Sequence, residues 1–595
     1  MNTKAAPIPI FYACDDRFVK YTVVSLFSII KNRDPRRSYE IYVLNTDISR
    51  ETQQLLLSLA SDGVSISFVD VSPYLQSIAS RLPLRDYYSK TTYFRLFIAD
   101  MFPALTKAIY IDSDTVVQGD ISALYDTDIG ENLVGACHEQ VMVQNDIFGT
   151  YAEQVVGVCR HNFFNAGVLL LNCTAWRESK LLDRFFALLD FYHFAVTQDE
   201  DYLNLLCKDH VYWLDQRWNT EMEGDIDYPI AEAHVLHYIM VNKPWHYGDC
   251  RHGDIFWQYA KETAVFETMQ TELANYRDEQ KMQDSASAER LCQLAIAETN
   301  REDNYLRLLN RTKRAPDRVE ALEKIAMLEL EGRFTEDVEN DPPAPTLMPE
   351  DIDYLRKSWR AKLKQRHAYF LAKKFLAGIL KEKKLIVKNI IGAEHWQALE
   401  GGAIITCNHF NALDSFAMQM AYMASGHKKK KLFRVIREGN YTAFPGFYGY
   451  LMRNFYTLPL SSNAKTMKKF VKATETLLKE GHFVLVYPEQ SMWWNYRKPK
   501  PLQKGAFSLA AKSGVPVLPC FITMQDSTLL GEDGYPVQEY TLHISAPIYP
   551  DKEKGYAENV AYLLFENARI WQSIYEKEYH MPLYYTTKKT APQGT

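Results

Sequence analysis

Hydrophobic positions along this chain follow two periods, and the period switches several times. From residue 8 to about 257, short apolar runs at 40–44, 65–69, 107–111 and 167–171 have the length and β-branched content of buried strands. Between them, 19–32 and 50–61 repeat apolar positions at helical spacing. Strand–helix alternation of this kind predicts an α/β sheet. From about 258 to 338 the pattern turns polar and helical, rich in Glu, Gln, Ala and Leu, and reads as a helical spacer or small bundle without a chemical motif. Pro342, Pro343 and Pro345 end it. Residues 355–388 read as a helix, with Leu355, Trp359, Leu363, Phe370, Leu371, Phe375 and Ile379 forming an apolar stripe. From about 385 to 575, runs at 402–406, 482–486 and 515–519 alternate with helices again and predict a second α/β domain. The residues after 585 are expected to be disordered. The resulting division is 1–257, a helical linker at 258–345, a basic amphipathic region at 346–390, a domain at 391–585 and a tail at 586–595.

At 595 residues the chain is too long for one ordinary core. Its hydrophobic fraction of 47% suits buried cores. A net charge of only −6 argues against a nucleic-acid partner. No apolar run approaches the length of a membrane span. The first residues lack the regions of a secretory signal peptide. The 9 cysteines are scattered, odd in number and without a C-x-x-C pair, which argues against a disulfide framework or a zinc site and fits a reducing cytosol. Charge is concentrated locally. Residues 355–388 carry twelve Lys or Arg against a single acid, Glu382, and Lys428–Lys431 form a second basic run. These suit an anionic membrane surface. The apolar stripe either lies in that interface or packs on the protein core with the charges facing water.

Two constellations carry chemistry. The first is Tyr110-Ile111-Asp112-Ser113-Asp114, with carboxylates at i and i+2 at the end of an apolar run. Side chains two apart on an extended segment share a face, so Asp112 and Asp114 can converge on one hard cation, Mn²⁺ or Mg²⁺. Five segments occur in one order: Phe11-Tyr12-Ala13-Cys14-Asp15-Asp16, Tyr93-Phe94-Arg95-Leu96, Tyr110 to Asp120, Phe164-Asn165-Ala166-Gly167-Val168, and His237 followed by Lys243-Pro244-Trp245. Together they resemble the family 8 retaining glycosyltransferases, which include lipopolysaccharide galactosyltransferases and glycogenin. The resemblance implies a GT-A fold and transfer of a hexose from a UDP-sugar with retention. It implies Asp112, Asp114 and His237 as metal ligands, with Lys243 on the diphosphate. Ala13, Asp15, Arg95, Asn165 and Asp199 fall in segments that hold the donor. Two positions depart from the family pattern. Met240 stands where a Gly is usual, and the D-Q-D element reads Asp199-Glu200-Asp201. Glu200 is either a catalytic carboxylate at the anomeric carbon or a solvated acid at a helix start.

The second is Asn408-His409-Phe410-Asn411-Ala412-Leu413-Asp414. With His409 in a loop and Asp414 in the first turn of the following helix, the carboxylate can orient the imidazole as a base for a hydroxyl. Tyr487-Pro488-Glu489, Lys504-Gly505 and Val515-Pro516-Val517-Leu518-Pro519 follow in order. This set resembles the glycerolipid acyltransferases of the lysophosphatidate type. The resemblance implies an α/β acyltransferase fold, with His409, Asp414 and Glu489 as catalytic residues. Gln490-Ser491-Met492 replace the family's G-T-R, which removes a phosphate-gripping Arg. Arg497, Lys498 and Lys500 either replace that charge or form a solvated loop.

The two resemblances imply a bifunctional enzyme of glycolipid synthesis. It would act on a UDP-hexose, on acyl-CoA or acyl carrier protein, and on a lipid or glycolipid hydroxyl, peripherally at the inner face of the cell membrane. The alternative is an active glycosyltransferase carrying a degenerate acyltransferase-like module that binds lipid.

Overall fold

The structure is a computed structural model that describes residues 6–75, 90–339 and 344–587. The chain divides into two compact units, Met1–Leu309 and Asn310–Thr595. Pro342, Pro343 and residues 588–595 of the expected tail lie outside the described residues.

In the first unit, four parallel strands form one half of a seven-stranded sheet: β1 (Ile8–Ala13), β2 (Tyr39–Asn45), β3 (Val64–Asp70) and β4 (Ala108–Ile111), in the order 3-2-1-4. β1 is buried almost throughout and β4 completely, as near-continuous apolar runs in a covered parallel sheet should be. The sheet continues through Val168–Leu171, antiparallel to β4, then Val134–Ala136 and Val211–Trp213. Helix Val19–Asn32 covers one face with Val23, Val24 and Leu26. The chain reverses direction of winding between β1 and β4, and open α/β sheets bind ligands beyond the carboxyl ends of such strands.

The second unit holds another seven-stranded sheet, mostly parallel. Its order is Ile386–Ile391, Pro536–Ile544, Val517–Leu530, Ala403–Thr406, Phe483–Val486, Leu432–Ile436 and Thr457–Pro459. The fully buried strand Ala403–Thr406 lies between Phe483–Val486 and Val517–Leu530. The sequence motifs leave this sheet just past the ends of Ala403–Thr406 and Phe483–Val486.

The polar helical stretch at 258–338 is shared between the units. Helices Phe266–Asn275 and Asp278–Asn300 pack into the first, where Leu291 and Ala295 join the core and Glu298 accepts from the Tyr192 hydroxyl at 2.6 Å. Helix Pro316–Leu330 packs in the second, with Ile325 and Leu328 against Trp493. The expected basic helix is Trp359–Lys381, and residues 386–388 begin a strand instead. Its apolar stripe is divided. Ile379 is buried, Phe375 is half-buried against Phe416 and Phe447, and Trp359, Leu363 and Phe370 are 70%, 61% and 63% exposed. Thr586 and Thr587, assigned to the tail, are bonded to Glu329. No helix among the described residues is long and apolar enough to cross a membrane.

Two candidate active sites

The first site is a cavity of about 610 Å³ lined by Ala13 at the end of β1, by Asp112 and Asp114 after β4, and by Arg95, Asn165, Asp199, Glu200, His237 and Lys243. Asp112 and Asp114 lie in the turn between β4 and Thr115–Val117, not within a strand as the i, i+2 spacing suggested. The pairing of the next strand brings the cluster together. Strand Thr115–Val117 pairs antiparallel with Val235–His237, setting His237 opposite Thr115, and Tyr238 N donates to Asp114 O at 3.0 Å. One ligand atom from each of Asp112, Asp114 and His237 lies within 4.8 Å of the others. His237 Nε2 is 3.2 Å from Asp114 Oδ1 and 4.0 Å from Asp112 Oδ2. The donor set, two carboxylates and one imidazole, fits Mn²⁺ or Mg²⁺.

Surrounding groups hold these donors. Asn219 Oδ1 sits 2.9 Å from His237 Nδ1, so the proton on Nδ1 faces Asn219 and the Nε2 lone pair faces the carboxylates. Asn219 in turn donates to Asn165 Oδ1 at 2.8 Å, and Asn165 donates to Glu139 Oε2 at 2.5 Å. Tyr110 OH and Arg95 Nη2 donate to Asp112 Oδ1 at 2.7 and 3.1 Å. Burial raises the Asp112 carboxyl, against the pull of Arg95. Burial would raise Asp114 too, but Lys243, 2.5 Å from Oδ2, and His237 together hold it well below the usual carboxylate range. Asp199 pairs with Arg95 at 3.2 Å and is pushed up to about 6 by burial.

Glu200 lines the cavity and accepts from Ala166 N at 2.9 Å, so it is not a solvated helix start. Burial, then repulsion from Glu139, push its carboxyl well above the usual value. Met240 has φ 57, the left-handed conformation that glycine adopts freely. The backbone turn therefore survives the departure from glycine. Asp15 does not line the cavity. Its carboxylate accepts from Arg17 N and Phe18 N ahead of helix Val19–Asn32. Sequence reasoning missed the buried Glu139, Asn219 and Glu221, the last paired opposite His237 in the strand ladder. It also missed Glu272, Asp284 and Leu291, which the polar helices bring to the cavity wall.

At the second site, Asp414 opens helix Asp414–Ala424, and its Oδ2 lies 2.6 Å from His409 Nδ1. The buried carboxylate places the proton on Nδ1 and leaves Nε2 as a base. Tyr487 OH donates to the other oxygen, Oδ1, at 2.8 Å, and its ring stacks on the imidazole at 4.3 Å. Glu489 was expected among the catalytic groups. It is 2% exposed, and its two oxygens accept from the backbone N–H groups of His409 at 2.9 Å and Lys500 at 2.8 Å. Its carboxylate thus ties the His409 loop to the segment beyond the Tyr487 turn. Arg497, Lys498 and Lys500 do not form a solvated loop. Each is bonded inside the unit, and burial lowers Lys500 to about 8 despite Glu489.

One unit thus holds an α/β cavity with an Asp-Asp-His cluster, and the other a His-Asp pair at the end of a sheet strand. Residues 9–249 match glycosyl transferase family 8 and residues 387–523 match the acyltransferase family, so the chain belongs to family 8 and carries an acyltransferase domain behind it. A Haemophilus influenzae protein described as a glycosyltransferase is 30% identical over 251 residues, 40% of this chain and 72% of that protein. The lipopolysaccharide 1,3-galactosyltransferase of Salmonella typhimurium is 26% identical over 263 residues, 41% of this chain and 75% of that enzyme. Among solved structures, the galactosyltransferase LgtC with donor and acceptor sugar analogs is 26% identical and covers 45% of this chain and 100% of its own, at a TM-score of 0.37. Of the bifunctional glycosyltransferase WbbM, the match covers 53%, at 24% identity and a TM-score of 0.40.

Proposed function

We propose that this chain is a bifunctional enzyme that transfers a hexose from a UDP-sugar with retention and a fatty acyl group from acyl-CoA or acyl carrier protein to a lipid or glycolipid hydroxyl. The observation that carries this reading is the presence of two separately preorganised sites, Asp112–Asp114–His237 and His409–Asp414, in one chain. Lipopolysaccharide galactosyl- and glucosyltransferases among the relatives support a hexose donor and a role in envelope glycolipid synthesis.

In the first unit, Asp112, Asp114 and His237 would hold a divalent cation. That cation supplies positive charge to the diphosphate leaving group. Lys243 adds an ammonium beside Asp114. Arg95 fixes Asp112 and the Ala166 carbonyl, and so keeps the floor next to Asn165 in place. Asn165, Asp199 and Glu200 line the part of the cavity assigned to the donor sugar, with Ala13 at the mouth of β1. In the second unit, His409 Nε2 takes the proton of the acceptor hydroxyl as its oxygen bonds to the thioester carbonyl carbon. The C–S bond then breaks, and the departing sulfur takes the proton from the imidazolium. Asp414 stabilises the cation formed between these steps. Glu489 is a positioning residue, holding the His409 loop through the backbone.

Attachment to an anionic membrane surface accompanies this chemistry. It is supported by the exposed Trp359, Leu363 and Phe370 and the exposed lysines and arginines of the same helix. The test uses purified full-length protein with UDP-glucose or UDP-galactose, Mn²⁺ and acyl-CoA, following UDP and thiol release with a lipid acceptor. UDP release that EDTA abolishes and Mn²⁺ restores, with an α-linked product by NMR, supports the first activity. Acyl transfer lost in His409→Ala supports the second. UDP release without any acyl transfer leaves the second unit as a lipid-binding anchor.

A further inference from the structure

Four of the cations around the Glu489 turn, Arg437, Arg497, Lys498 and Lys500, lie against carboxylates of their own unit. Arg437 Nη2 donates to Asp337 Oδ2 and, at 3.4 Å, to Gln490 O. The second Asp337 oxygen accepts from Met492 N at 3.3 Å. Lys500 is 2% exposed, donates to Ser491 O and Oγ at 2.7 and 2.8 Å, and lies 3.7 Å from Glu489 Oε2. Arg497 pairs with Asp526 at 2.9 Å and Lys498 with Glu329 at 2.7 Å. Arg434 is buried, with Nη2 on Gln419 Oε1 at 2.5 Å and Nη1 on Leu432 O at 3.2 Å. The remaining lysine of this segment, Lys504, is exposed ahead of helix Gly505–Ser513.

A guanidinium and a backbone N–H that grip one carboxylate make an anion cradle. Here the cradle is filled by Asp337, from the segment after helix Pro316–Leu330. A phosphate entering this cradle would have to displace a bonded carboxylate and then remain near it, at a cost in like-charge repulsion. An uncharged hydroxyl meets no such barrier. Building on the acyl-transfer reading of His409, we propose that the acceptor is a neutral hydroxyl, on a sugar or glycosylated lipid, and not a phosphate ester. The Asp337–Arg437 pair is the specificity element that excludes phosphate.

The experiment compares two acceptors with one oleoyl chain, 1-oleoyl-3-glucosyl-glycerol and 1-oleoyl-glycerol 3-phosphate, using full-length protein and palmitoyl-CoA. The expected result is a kcat/KM at least about tenfold higher for the glucosyl acceptor. In Asp337→Asn, the KM for the phosphate acceptor should fall several-fold, with glucosyl turnover little changed and the melting temperature confirming the fold. A wild-type preference for the phosphate acceptor, reduced by Lys504→Gln, overturns the proposal while leaving acyl transfer intact. An unchanged KM for phosphate in Asp337→Asn removes the role of the pair. Absence of thiol release that depends on His409 overturns the acyl-transfer reading itself, and the acceptor assignment with it.

Discussion

A single added carbon at Gly167 would fall inside the Asp112–Asp114–His237 cluster. A Cβ there would stand 2.2 Å from His237 Cε1, 2.9 Å from Asp112 Oδ2 and 3.0 Å from Asn165 Oδ1. His237 cannot easily yield, because Asn219 holds its Nδ1 and Asn219 is itself held against Asn165. Gly167→Ala should therefore weaken Mn²⁺ binding at least about tenfold, or about 1.4 kcal/mol, as read by calorimetry or by EPR titration. Affinity within twofold of the parent would show that the cluster does not hold the ion. At this scale the residues that form the Asp112–Asp114–His237 cluster were readable and those that support them were not. Asp112, Asp114 and His237 sit in segments whose order and spacing are distinctive, whereas Asn219 and Glu139 reach the site only through a three-stranded sheet and a turn that no local pattern announces. The fate of Arg497, Lys498 and Lys500 was equally hidden, since their partners Asp526, Glu329 and Ser491 are fixed by tertiary folding.

Among the elements, the run at 402–406 became a strand because a covered parallel strand must be apolar on both faces, whereas the run at 65–69 became an edge strand with Ser65 and Ser67 exposed. The polar helices between 266 and 300 were misleading for the opposite reason. Few of their side chains are buried, yet Glu272 binds Tyr21 at 2.7 Å and lines the cavity. Helix Trp359–Lys381 is divided by exposure. Its buried face is Ala368, Ala372, Leu376 and Ile379, which leaves Trp359, Leu363 and Phe370 on one outer face among exposed lysines. Each of these large side chains would gain on the order of 1.5–3 kcal/mol on entering an apolar phase, enough to seat the helix in a membrane interface when combined with charge attraction. Replacing all three with serine should lower binding to phosphatidylglycerol vesicles at least about tenfold in a sedimentation assay. High salt should weaken the parent through its lysines. Equal sedimentation of parent and variant would mean that this helix does not carry the contact.

For the whole molecule, the question is whether one chain with two sites behaves as two enzymes. Each unit has cores of its own, built on Phe94, Leu169 and Phe185 in the first and on Ile405, Leu485 and Leu518 in the second. The Asp112–Asp114–His237 cluster is held by Asn219, Tyr110 and Arg95 of the first unit, and the His409–Asp414 pair by Tyr487 of the second. Removing one catalytic group should therefore act locally. His409→Ala in the full-length protein should cost acyl transfer about 10²- to 10⁴-fold, the range for loss of a general base, while UDP release stays within about twofold. Asp114→Asn should do the reverse, abolishing the response of UDP release to Mn²⁺ and leaving acyl transfer in place. Both rates are measured on one preparation, with melting curves to exclude unfolding. If either substitution lowers both rates together, the two activities are coupled. If the losses remain separate, the two sites act independently, each on its own substrates.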